Sequence, residues 1–251
     1  MKRMKTVFLL ILCLLFLCSC SEGKSKKQDE LPDETVQTGE STPAAPESGE
    51  TEQDADHNPA TAGVMEKYRE ILLGNASFYR AGTDEKHSIY ELRSCFTSNE
   101  TVEMTVISFT VIDLDEDGID EVVLWPSLSG NEYFGSVILH STGDEVYGYP
   151  IWYRGFNHLK TDGTFHSSGG AGDWGYNKIR FTPQYEREYT AERITYCETY
   201  KDENGNQQAR YFVNGLEATR EDFLGESDKQ DAKPDVQKHR YTEENVKKYV
   251  S

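Results

Sequence analysis

Basic residues are scarce: 26 lysines and arginines face 44 aspartates and glutamates, leaving a net charge of −18. No basic patch interrupts the acid, so the cationic surface that a phosphate backbone requires is missing and nucleic acid is excluded as a partner. Cysteine is scarce too. Of five in the chain, Cys13, Cys18 and Cys20 lie near the start, leaving Cys95 and Cys197 downstream. Two cysteines make no disulfide framework, and no CxxC or Cys/His cluster has zinc-ligand spacing. A bond between them would close a loop worth up to ~4.7 kcal/mol of chain entropy. Both sit in apolar-patterned segments where a buried free thiol is equally natural, so the two readings stand side by side. The longest apolar run, Thr6 to Leu17, is too short to carry a helix across about 30 Å of hydrocarbon. Neither a G-x-S-x-G elbow nor a glycine-rich phosphate loop is found. No internal repeat supports a propeller of identical blades.

What is present begins with a positive segment, Lys2, Arg3 and Lys5, ahead of that apolar run, which reads as a secretory signal. The run ends in Leu17-Cys18-Ser19-Cys20. This resembles the bacterial lipobox, with small Ser19 just before the acceptor. The resemblance implies cleavage before Cys20, diacylglycerol on its sulfur, and anchorage to the extracytoplasmic face of a membrane through that lipid. Residues 1–19 are then the signal peptide. Residues 20–62 carry no aromatic side chain and four of the eight prolines, a composition that cannot offset ordering entropy. They are expected to form a disordered acidic tether spanning roughly 35 Å or more. Lys24, Lys26 and Lys27 would sit beside the lipid, where anionic head groups attract each by about 1 kcal/mol.

Residues 63–251 have the length of one domain with a real core. Val64, Met65, Tyr68, Ile71 and Leu72 recur at helical spacing and Gly74 stops the pattern, which predicts an amphipathic helix. "HSIYELRSCF" is expected as a second, shorter one. From Thr101 the period changes to two, with Ile107, Phe109 and Val111 on one face. Further strands are expected in "YFGSVILH", "VYGYPIWY", "FNHLK", "WGYNKIRFT" and "RITYCETY". Asn204-Gly205 and Asn214-Gly215 predict hairpin turns, and Thr219 with Asp222 a helix cap. Residues 225–240 read as polar and loose, and "YTEENVKKYV" as a last helix. The expected fold is mainly β within an α+β class: an antiparallel β-meander with an N-terminal helix and short C-terminal helices.

Between two apolar stretches lies "DLDEDGIDE", six acids in nine residues with no base. Asp113, Asp115 and Asp117 hold positions one, three and five of a D-x-D-x-D-G pattern, and Gly118 permits the sharp turn at six. Alternate residues of a tight loop converge their carboxylates. Ile119 at seven would offer its carbonyl and Glu121 at nine its carboxylate, all hard oxygens suited to calcium. Four carboxylates about 5 Å apart make six repelling pairs near 0.8 kcal/mol each, even at water's dielectric. A divalent ion reverses that sign. The bland alternative is a solvated acidic turn. The loop resembles that of the EF-hand, but position twelve is Leu124 and the flanks read as strands. It is more similar to the strand-loop-strand calcium sites of FG-GAP and VCBS-type repeats, and to a hairpin recurring in uncharacterised lipoproteins of Gram-positive anaerobes. The resemblance implies a structural calcium ion held at roughly 10⁻⁴–10⁻³ M.

"HSSGGAGDWGYNK" admits a catalytic reading, with Ser167 or Ser168 as nucleophile, His166 or His158 as base and Asp173 as orienter. A mobile or bulged loop between strands is the plainer reading and the one expected here. Trp125, Trp152 and Trp174 would make a sugar- or peptide-binding platform if they shared a face, but aromatics at strand spacing are more often core. The leading functional expectation is a non-enzymatic surface lipoprotein that binds a protein or cell-wall glycan. A dedicated carbohydrate module and a hydrolase follow it.

Overall fold

A computed structural model describes residues 59–251 apart from 131–133 and 182–187. The lipobox cysteine Cys20 and residues 20–58 of the expected tether lie outside the described residues, and residues 59–62, expected to belong to the tether, are the first turn of a helix. Helix α1 (Pro59–Leu72) opens the fold, and its stripe of Val64, Met65, Tyr68, Ile71 and Leu72 is buried as its spacing requires. Strands β1 (Phe78–Arg80) and β2 (Lys86–His87) follow, then a 3₁₀ helix (Ile89–Cys95) where the shorter helix was expected. A meander comes next: β3 (Met104–Ile112), β4 (Glu121–Leu128), β5 (Gly135–Thr142) and β6 (Glu145–Trp152). A second meander comprises β7 (Phe165–Gly170), β8 (Asp173–Phe181), β9 (Tyr189–Lys201), β10 (Gln207–Val213) and β11 (Leu216–Ala218). Helix α2 (Arg220–Asp231), strand β12 (His239–Arg240) and helix α3 (Glu243–Tyr249) close it. The fold is mainly β, with two sheets and a few short helices.

The first sheet has the order β12-β3-β4-β5-β6-β1-β2 and the second β11-β10-β9-β8-β7. All pairings are antiparallel except β1 with β6. Strand side chains alternate, so β4 sends Val122 and Leu124 to one face and Val123 and Trp125 to the other. The first pair packs with Tyr68 and Ile71 of α1 and Val246 of α3. The second packs with Phe165 of β7 and Ile179 of β8. Helices, first sheet and second sheet therefore form three layers, and β4 is buried on both sides. That explains its unbroken apolar run. In β3 a bulge between Val106 and Ser108 breaks the expected alternation. Ile107 is thrown out of line with Phe109 and left 38% exposed.

Both Asn-Gly turns form as expected, and at Asn214-Gly215 both residues take the positive φ that a two-residue hairpin needs. Residues 225–240, expected to be loose, are ordered. Thr219 caps α2 by accepting from the Asp222 amide at 3.1 Å. Phe223, Ser227 and Gln230 then form its buried face. Phe223 meets Trp174 and Tyr211, and the Ser227 hydroxyl donates to Thr195 Oγ1 at 3.1 Å. The cap is the one its sequence predicts, but two of those three buried side chains are polar, so no apolar pattern showed how far the helix runs. "FNHLK" forms no strand, only single bridges from Asn157 to His166 and from Lys160 to Asp235. The glycine-rich stretch expected as a loop is the β7–β8 hairpin, with its bulge between Ser168 and Gly170. Cys95 and Cys197 are free and buried. Among the described residues no helix is long and apolar enough to cross a membrane.

Gly225 sits inside α2, exposed, with no atom within 4 Å of where a Cβ would stand. Gly225→Ala is expected to raise stability by about 0.5–1 kcal/mol, since alanine loses less entropy in a helix. Urea unfolding measures it, and an unchanged midpoint would show that α2 is not helical in solution.

Candidate metal site

The loop from Asp113 to Asp120 joins β3 to β4, the second and third strands of the first sheet. Its shape is set by its own carboxylates. Asp113 Oδ1 accepts from the amides of Glu116 at 2.7 Å and Asp117 at 3.2 Å, and Oδ2 from that of Gly118 at 3.0 Å. Asp117 Oδ1 accepts from the Ile119 amide at 2.7 Å. Glu116 and Gly118 take φ of 65° and 85°, a conformation that costs glycine nothing and tightens the turn. Asp113, Asp115 and Asp117 thereby bring one oxygen each to within 4.8 Å of one another, an arrangement able to hold a metal ion.

The electrostatics of the loop are unbalanced. Burial, and then the neighbouring Asp117, raise the Asp115 carboxyl above the ordinary aspartate value. Asp120 is raised by burial and by Asp113. Asp115 Oδ1 is buried and has no hydrogen-bond partner. A buried acceptor left bare is unfavourable, and the all-oxygen donor set of the three aspartates fits a hard cation. The cations nearby are committed elsewhere. Lys178 and Arg180 of β8 reach the loop from the second sheet, but both pair with the outward-pointing Glu116. Arg180 also donates to the Asp115 carbonyl.

The remaining expected ligands lie deeper. Ile119 packs half-buried against the helix-side core. Glu121, the ninth position, is fully buried and outside the converging group. Its Oε2 accepts from the Leu114 amide at 2.9 Å, between the first two aspartates. Its Oε1 lies 2.8 Å from His140 Nδ1, and the His140 ring stacks on Phe181 at 3.9 Å. Burial raises the Glu121 carboxyl to about 7. A glutamate closing a loop motif gives no hint in sequence of such a partner on β5.

The catalytic candidates do not assemble. Ser167 Oγ accepts from Asn177 Nδ2 at 2.8 Å, and the Ser168 hydroxyl donates to the Gly170 carbonyl at 2.9 Å. His158 and His166 face each other 6.1 Å apart instead. A serine–histidine contact does exist elsewhere, with Ser94 Oγ 2.8 Å from His87 Nδ1. That hydroxyl also donates to the Glu91 carbonyl at 2.6 Å, so the contact ties the 3₁₀ helix to β2. The three tryptophans share no platform. Trp125 is core, Trp174 packs on α2, and Trp152 is 53% exposed beside Tyr153. Compared with protein-family models, curated proteins and solved structures, the chain matches none.

Proposed function

We propose that the chain is an extracytoplasmic lipoprotein, anchored through Cys20, that serves as a binding or interaction module and holds a calcium ion in the β3–β4 loop. Asp113, Asp115 and Asp117 supply the ion's carboxylates. The bare, buried Oδ1 of Asp115 carries the reading, because no side chain or backbone group of the described residues satisfies it. The donors are all oxygen, which favours calcium over a transition metal. Glu121 supports the loop through the Leu114 amide. The ion's role is structural: it replaces mutual repulsion with attraction at the turn between two adjacent strands of the first sheet. The acidic surface and the tether serve presentation of the domain away from the membrane.

Thermal unfolding in EDTA and in calcium tests this. An affinity of roughly 10⁻⁴–10⁻³ M predicts about 1.4–2.7 kcal/mol of stabilisation at ~10 mM calcium, or a rise of about 3–10 °C. Asp115→Ala should show no rise. In EDTA the same variant should melt at or above the wild type, because it removes one repelling carboxylate and its unpaired oxygen. Equal responses from the two proteins would reject the site.

A further inference from the structure

A cavity of about 360 Å³ opens where the bulged part of β3 meets two segments that run outside the strands, 154–159 and 235–238. Such a volume lies within the ~300–1,000 Å³ range of small-molecule sites. Its walls are of two kinds. Trp125, Phe156, Leu159 and Val236 give it apolar lining, and Arg154 and Lys238 give it two cations, Lys238 over the Trp125 ring. We propose that this cavity binds a small organic carboxylate, with its charge between Arg154 and Lys238 and a flat apolar body about one ring in size against Trp125 and Phe156.

The charges support an anion. Among the described residues neither Arg154 nor Lys238 forms an ion pair, in a chain with a large excess of acid. Lys238 Nζ lies 4.0 Å over the Trp125 ring and Arg154 lies over Tyr153, so each rests on an aromatic face. The one acid on the wall, Asp235, is balanced by buried Lys160 at 2.9 Å. Burial lowers the Lys238 ammonium below the ordinary lysine value, with Asp235 as the opposing influence. A cation in that position gains from an anion more than a solvated one would.

The walls are also built in advance. Arg154 and His158 hold φ of 67° and 49°, a conformation unfavourable for residues with a Cβ. Hydrogen bonds to β7 fix both: the Ser168 amide donates to the Arg154 carbonyl at 2.8 Å, and Asn157 exchanges two bonds with His166. The opposite wall is fixed by the Val236 amide, which donates to the Leu159 carbonyl at 3.0 Å. Strain held in place on a cavity wall positions side chains for a ligand without further ordering. The apolar side argues against inorganic phosphate as the occupant, since that ion leaves the rings unused.

The test is ligand-observed ¹⁹F spectroscopy of 4-fluorophenylacetate with the full-length chain in detergent. The neutral 2-(4-fluorophenyl)ethanol is the comparison, and inorganic phosphate the competitor. The acid is expected to bind saturably and at least about tenfold more tightly than the alcohol, the size of one charge-assisted contact. Arg154→Gln with Lys238→Gln should remove that preference and leave the alcohol's signal as it was. Raising salt should weaken the acid and not the alcohol in the wild type, a readout independent of whether the variant's cavity survives. Equal binding of acid and alcohol, an acid preference that survives in a folded variant, or no broadening at millimolar ligand would each overturn the proposal. Displacement by phosphate at concentrations equal to the acid's own would do so too, because the rings would then contribute nothing.

Discussion

Glu121→Ala is expected to cost about 3–5 kcal/mol, a large fraction of the roughly 5–15 kcal/mol that holds a domain folded. The side chain is fully buried, and both oxygens are engaged, by the Leu114 amide and by His140. Truncation leaves an amide and an imidazole without their partner and opens a void between the sheets. Below pH 4.5, where the glutamate is neutral both folded and unfolded, Glu121→Gln should cost far less, about 1 kcal/mol, because an amide can accept from Leu114 and donate to His140 Nδ1. The charge itself is not favoured. Burial lifts the carboxyl from 4.5 to about 7, so the folded state holds its proton more tightly than the unfolded chain does. Stability from this group is then fully present below pH 4.5 and is lost as pH rises through about 7. The loss reaches up to about 3 kcal/mol. Urea unfolding in EDTA across that window should show the decline in the wild type and its removal in Glu121→Gln. A glutamine variant as unstable as the alanine one would mean that the carboxylate, not the hydrogen-bond pattern, holds the loop.

Gly175→Ala should be nearly as damaging for a different reason. Gly175 is buried in β8 opposite Tyr196, and a Cβ there would stand 1.9 Å from the Thr195 carbonyl oxygen and 2.9 Å from Tyr196 Cα. Those are backbone atoms of β9 and cannot swing aside as a side chain does. The strands must separate, with an expected cost of about 3 kcal/mol or more. Urea unfolding gives the size, and amide exchange at Tyr176 and Thr195 the location. A cost under about 1 kcal/mol would show that β8 and β9 lie further apart in solution than the structure has them. In Gly225→Ala the same methyl group, placed in open space on a helix, is expected to stabilise.

Legibility in the sequence followed the length and chemistry of each element. Helix α1 could be read because one apolar stripe runs through it, and the β9–β10–β11 turns because Asn-Gly has few other uses. Strands β1 and β2 could not, since elements of three and two residues carry no period. The start of helix α2 could be read from its Thr219 cap, but its length could not, because its buried face is partly serine and glutamine. In the acidic loop the aspartates announced their convergence through spacing alone. The pairing of Glu121 with His140 did not, because it joins residues on neighbouring strands whose register only the fold sets. The cavity lined by Arg154 and Lys238 was invisible for the same reason, and Ile107 reaches its wall only through a bulge.

The ends of the two sheets bear on a hazard that a β-rich chain must manage. A long, flat, unpaired strand offers its backbone to any second copy. Here the first sheet ends in β2 and β12, of two residues each, and the second in β11, of three. The remaining edge, β7, is longer but carries a bulge and two glycines at its end. No described edge is both long and regular, so copies crowded together have little to zip onto, and the molecule's β content is kept from becoming a template for fibrils.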